Sequence, residues 1–267
     1  MALQVDTTTV TPPSTLLALS EGWRALLEAS ALIPSLPFLR SMPRGDGHPV
    51  YLLPGFMADS QSTAMLRRWL DNLGYNAVPW GFGRNLGPRG ILMERLIATV
   101  GELAREQGQP VSLIGQSLGG VFAREIAKVI PKQIRQVITL GSPFRQTDTN
   151  GTAPAVLRLF EMATGGKADD LRRSMGDISR PAPVPSTAIY SRTDGVVRWH
   201  TCIDTESDTH ENIEVRGSHS GLGWNPAVLV AVSDRLSQRA GEWHRFSPPL
   251  PLRPWYPSPA SWSSAAA

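Results

Sequence analysis

VSLIGQSLGGVFAREIAKVI, from Val111 to Ile130, is the stretch whose reading decides the fold. Val111 to Ile114 is a short run of strand-forming residues, Gly115 to Gly119 (GQSLG) is a tight turn, and Gly120 to Ile130 has helical spacing closed by Pro131. A Gly-x-Ser-x-Gly match is weak by itself, since ordinary glycine usage gives about one chance in ten of a hit in a chain of this length. Its setting carries the information. Between a strand and a helix, such a turn pushes the serine side chain out over the carboxyl edge of a parallel sheet. Gly115 and Gly119 then have a steric role, because a β-carbon at either would collide with backbone brought close by the turn. The rival reading is a glycine-rich turn carrying a surface serine.

Outward from this stretch, strands and helices alternate. Pro49 to Leu53 reads as a buried strand stopped by Pro54 and Gly55, a helix runs from Asp59 or Ser60 to Leu73 with Gly74 past its end, and a strand follows near Asn76 to Pro79. Trp80 to Gly90 is a glycine-rich loop before a helix ending at Gln107. After the elbow come strands at Gln136 to Leu140, Ser186 to Tyr190 and Asn212 to Val215, and a helix from Asn225 to Gln238. This alternation predicts an α/β fold with a mostly parallel sheet of about six strands flanked by helices. Residues 1–45 read as an N-terminal helix and connector: Leu16, Leu19, Trp23, Leu26 and Leu27 have amphipathic spacing between Ser14 and Ala29, and a Pro-rich connector reaches Pro43. Residues 46–240 form the main domain, with a small helical cap at about 146–185. Residues 241–267 are a Pro/Ser-rich tail, read as an extended or disordered appendage whose aromatics could instead pack back on the domain.

A serine hydroxyl is a feeble nucleophile until a base takes its proton, and histidine suits that task near neutral pH. Of five histidines, His219 alone lies in a Ser/Gly loop between a late strand and the last helix, which opens on the same edge as the serine elbow. The orienting acid should lie between serine and histidine in the chain, at a strand end on that edge; Asp194, in a turn with Gly195, meets both conditions. Asp204, Glu206 and Asp208 read as a solvated polar run. Two N–H donors are needed for a tetrahedral oxyanion. Leu118, following the serine, supplies one, and Phe56 at the first strand's exit supplies the other, with Met57 as its rival. Trp80, Phe82 and Phe144, with Leu157 and Phe160 of the cap, are candidates for an acyl or aromatic pocket, core packing being the alternative for each.

Taken together, HPVYLLPGF, VSLIGQSLGGVFAREIA, VITLGSPF, SRTDGVV and GSHSGL resemble, over roughly Asp46 to Leu236, bacterial α/β-hydrolases of the esterase and lipase type. The resemblance implies the α/β-hydrolase fold, Ser117, Asp194 and His219 as a triad, and Phe56 and Leu118 as the oxyanion residues. It implies a carboxylic ester as substrate; the candidate pocket residues, not the resemblance, favour an apolar acyl or aromatic group. Pro54 departs from the family by standing where many lipases have histidine, and a helix replaces the usual N-terminal hairpin. An acyltransferase, thioesterase or amidase would use the same three residues, and a non-catalytic binding protein would keep the same fold.

Composition excludes other classes. A net charge of +3 with scattered Lys and Arg argues against a nucleic-acid partner. One cysteine, Cys202, permits neither an internal disulfide nor a cysteine metal cluster and reads as a small packed residue. No metal or organic cofactor is implied. The opening MALQVDTTTV lacks the charged and apolar regions of a secretory signal, and no apolar run reaches membrane-spanning length, so a cytoplasmic protein is expected. Oligomeric state is not legible.

Overall fold

The computed structural model describes residues 3–4, 13–145, 161 and 177–261 of the chain. At its centre is a six-stranded, all-parallel sheet in the order β3-β2-β4-β5-β6-β7. The strands are β2 (Pro49–Leu53), β3 (Asn76–Val78), β4 (Val111–Gln116), β5 (Ile134–Leu140), β6 (Ser186–Ser191) and β7 (His210–Val215). A short parallel pair, β1 (Leu3–Gln4) with β8 (Ala260–Ser261), lies outside it. The chain thus has the predicted α/β architecture.

Parallel strands covered on both faces read as continuous apolar runs, and PVYLL of β2 is buried at every position. Alternate residues of that run serve opposite faces. Val50 and Leu52 join Ile114, Leu66, Leu70 and Val228 in one core layer, with α2 (Ala64–Leu73) and α5 (Pro226–Ser237) above it. Tyr51 and Leu53 join Leu113, Val137, Leu96, Val100, Phe122 and Ile126 in the other, beneath α3 (Leu92–Gln107) and α4 (Leu118–Val129). Local signals place the helix ends: Gly74 and Gly108 take the left-handed conformation that closes α2 and α3, and Asn225 caps α5 by accepting from the Ala227 N–H. Predicted and observed boundaries differ by a few residues, and Asp59 to Thr63 form turns instead of the first turn of α2.

Two readings at the chain ends are corrected. The N-terminal helix α1 spans Thr15–Leu39, passing through Pro34 and Pro37 where a connector was expected. Both prolines face solvent, as do Ser30 and Ile33, whose carbonyls lose a helical partner to them, so water can satisfy those groups. Packing of Leu32 and Phe38 onto the core, with Leu39 buried, holds this half in place. Along its first half, α1 turns its apolar stripe outward: Leu16, Leu19, Trp23, Leu26 and Leu27 are exposed, Leu19 by 82%. Glu21 and Ala25 are the buried positions instead. At the other end, the described part of the tail is no free appendage. Leu252 is buried, Phe246 and Tyr256 pack on the core, and the Tyr256 hydroxyl donates to the Ala227 carbonyl over 2.8 Å.

No helix among the described residues is long and apolar enough to cross a membrane.

Candidate active site

Ser117 stands between the end of β4 and the start of α4 with φ 51° and ψ −124°, a conformation that L residues rarely adopt. Its N–H donates to the Leu140 carbonyl of β5 over 2.8 Å, anchoring the turn to the neighbouring strand. The glycines permit this geometry. A β-carbon on Gly115 would fall onto the backbone of Gly119 and Gly120, and one on Gly119 onto the carbonyls of Leu53 and Pro54. Gly120 has a similar constraint from Ser142, which lies against it.

The exit of β2 comes up beside the serine: a β-carbon on Gly55 would lie 3.3 Å from that of Ser117. Phe56 follows Gly55 in this turn. Met57, its rival as oxyanion donor, has a positive φ of 62° and commits its N–H to the Asn85 carbonyl over 2.8 Å. Buried Asn85 also donates through Nδ2 to the Pro54 carbonyl at 2.9 Å, so one side chain and its own backbone pin the turn on both sides of Phe56. Leu118 begins α4, where the helix's unpaired N–H groups and dipole favour negative charge.

Asp194 and His219 meet. Asp194 lies just past β6, and His219 in the loop after β7, yet Nδ1 of the imidazole is 2.6 Å from Asp194 Oδ2. The other carboxylate oxygen accepts from the N–H groups of Val196 and Val197, at 2.8 Å each, which fixes the carboxylate's orientation. Burial of the imidazole favours its neutral form, but the facing Asp194 carboxylate, reinforced by Glu21, outweighs burial and raises the His219 pKa above its ordinary value. Ser117 reaches the histidine loop through its neighbour: Gln116 Nε2 donates to the His219 carbonyl over 3.0 Å. Three loops from the carboxyl ends of β4, β6 and β7 therefore converge on one rim.

Other expected site residues are placed differently. Trp80 is buried and stacks on Phe122, Phe144 is buried under the Arg124 guanidinium, and half-buried Phe82 packs edge-on against Trp80. All three pack within the protein body. Leu157 and Phe160, with most of the expected cap, lie outside the described residues. Asp204 is not solvated. It is fully buried, 2.5 Å from Arg124 Nη1 on the helix after Ser117, and beside His210. That ion pair is what makes burial of the carboxylate tolerable. Cys202 is buried as expected.

Sequence reasoning missed Asn85, Gln116 and two carboxylates of α1. Glu21 accepts from the N–H groups of Gly195, His219 and Ser220, and Glu28 from that of Ser218. The acidic positions on α1 were visible, but spacing along the helix does not say which of its faces meets the domain.

Comparison with known proteins agrees with this architecture. No protein-family model matches the chain. Triacylglycerol lipases of Pseudarthrobacter phenanthrenivorans and Burkholderia plantarii are each 28% identical to it over 170 residues, which is 54% of this chain and 53% and 47% of theirs. The chain thus spans about half the length of the curated relatives it matches. Among solved structures, lipase B of Aspergillus fumigatus superimposes with a TM-score of 0.54 at 18% identity, over 75% of this chain and 55% of that one. The chain has the α/β-hydrolase fold, and its sequence likeness is to the lipase and esterase type.

Proposed function

We propose that the chain hydrolyses carboxylic esters through an acyl-enzyme on Ser117. The observation that supports this most directly is the Asp194–His219 pair, held at 2.6 Å on the rim where Ser117 is forced out of ordinary backbone geometry. Lipases among the sequence relatives point to the same substrate class.

In this reading the Ser117 Oγ attacks the ester carbonyl carbon as its proton passes to His219 Nε2, leaving an imidazolium opposite Asp194. Negative charge gathers on the former carbonyl oxygen, where the N–H groups of Phe56 and Leu118 would receive it. Collapse breaks the bond to the leaving alkoxide, which takes the proton from His219. Water, deprotonated by His219, then attacks the acyl-enzyme, and the acid leaves as the proton returns to Ser117.

Turnover of p-nitrophenyl esters by the full chain, compared with Ser117→Ala, tests the reading. Loss of nearly all activity and of fluorophosphonate labelling is the expected result. Near-parental turnover in the variant removes Ser117 from the chemistry. Parental protein that neither turns over esters nor takes the label returns the chain to the non-catalytic reading.

A further inference from the structure

We infer that Glu21, on a helix outside the catalytic sheet, is a positioning residue that joins the acid turn to the histidine loop through one buried carboxylate. The inference rests on the proposed roles of Asp194 and His219.

Asp194 and His219 sit on loops from two different strands, so the imidazole's placement depends on how those loops are seated against one another. Glu21 bridges them. Its Oε1 accepts from the N–H of Gly195, the residue after Asp194, at 2.8 Å, and from the N–H of His219 itself at 3.1 Å. Its Oε2 accepts from the N–H of Ser220 at 3.1 Å. Two helical turns on, Glu28 takes the Ser218 N–H at 2.6 Å and the Asn225 side chain at 2.9 Å, extending the same attachment along the loop. Arg24, on the same face, pairs with Glu21 at 2.7 Å and donates to the Thr193 carbonyl over 2.6 Å. The approach is close enough that a β-carbon on Gly195 would meet the Leu17 carbonyl.

A buried carboxylate is costly unless its oxygens are well supplied with donors, and here three backbone N–H groups and a guanidinium supply them. Those same amides belong to the two loops that carry the acid and the base. Helix α1 therefore does more for the rim than cover a hydrophobic face, which explains why its apolar stripe is turned away. The charged groups acting on His219 are Asp194 from the β6 turn and Glu21, with its partner Arg24, from α1, while the Cys202 thiol lies near Asp194. Burial and the nearby Asp194 carboxylate push that thiol's pKa up, so it stays neutral. Negative charge thus dominates around the ring. It favours the imidazolium that forms when Ser117 gives up its proton.

The test uses the full chain with Glu21→Ala and Glu21→Gln. In Glu21→Ala, kcat on a p-nitrophenyl ester should fall about 100-fold with KM changed by less than about threefold, the pattern of a misplaced catalytic group. Glu21→Gln keeps an acceptor oxygen but no charge, and should recover part of that loss, to about tenfold below parent. Its His219 ring, titrated by NMR, should have a lower midpoint than the parent's. That readout does not need turnover: a lowered midpoint in a protein without esterase activity would sink the proposed function and leave the coupling of Glu21 to His219 standing. A folded Glu21→Gln protein with parental kcat and parental midpoint overturns the inference and leaves the proposed function intact. If Glu21→Ala does not fold, Glu21→Gln alone decides.

Discussion

Ser117→Gly should stabilise the protein while abolishing the ester hydrolysis proposed for it. Ser117 holds φ 51° and ψ −124°, a region open to glycine but closed by the β-carbon to other residues, and such a conformation stores roughly 1–3 kcal/mol. Glycine releases that strain and opposes it with a freer unfolded chain, worth roughly 0.4–1 kcal/mol. The middle of these ranges leaves a net gain of about 1 kcal/mol, which for a domain of this size raises Tm by roughly 2–4 °C. Ser117→Ala is the matched control. It loses the same hydroxyl but keeps the β-carbon and the strain. Thermal unfolding of parent, Ala and Gly proteins in one buffer should therefore place Gly above Ala, with neither able to turn over ester. A Gly variant that melts at or below the Ala variant would show that the elbow is not strained and that its geometry does not by itself mark a functional serine.

Gly119→Ala should be the opposite case, since its β-carbon would meet the carbonyls of Leu53 and Pro54, backbone that cannot swing aside. A loss of about 3 kcal/mol or more is expected in urea unfolding, and an unchanged midpoint would contradict the packing described. Asp204 predicts an acid-labile stability increment. Burial alone would raise its pKa, but His210 and Arg124 override this and hold the folded-state value at about 2, against 3.8 ordinarily. The lowered value means that the contribution is present above about pH 4 and is lost as pH falls toward 2. It amounts to about 2 kcal/mol, measured as the difference in pH dependence between parent and Asp204→Asn, and identical dependences would refute it. Finally, kcat/KM for ester hydrolysis should rise with pH through a midpoint above the usual histidine value of 6.5, because in the proposed mechanism the neutral imidazole is the base and its folded pKa is raised. A midpoint below 6.5 would exclude His219, as placed, from that role.

The parts of this protein that were legible in its sequence are those governed by local rules. VSLIGQSLGG announces a strand, a turn that only glycine can close, and a helix, because each depends on a few consecutive residues. The continuous apolar runs of the central strands and the turns after them carry the parallel topology in the same way, and chain order along one sheet edge points to Asp194 and His219, two side chains that the structure places 2.6 Å apart. Amphipathic spacing located α1 but did not orient it. The stripe Leu16, Leu19, Trp23, Leu26 and Leu27 is a sound helix signal, but periodicity says only that two faces differ, not which one meets the domain.

What only the tertiary structure decided is the pairing of polar groups across long stretches of chain. Glu21 meets amides about two hundred residues away, Asp204 is buried because Arg124 lies opposite, and Met57 gives up its N–H to Asn85. Each of these polar groups alone would be expected in water. A buried charge or amide becomes favourable only when a specific partner faces it at hydrogen-bond distance, and that partner is supplied by the folded chain as a whole, not by its neighbours in sequence.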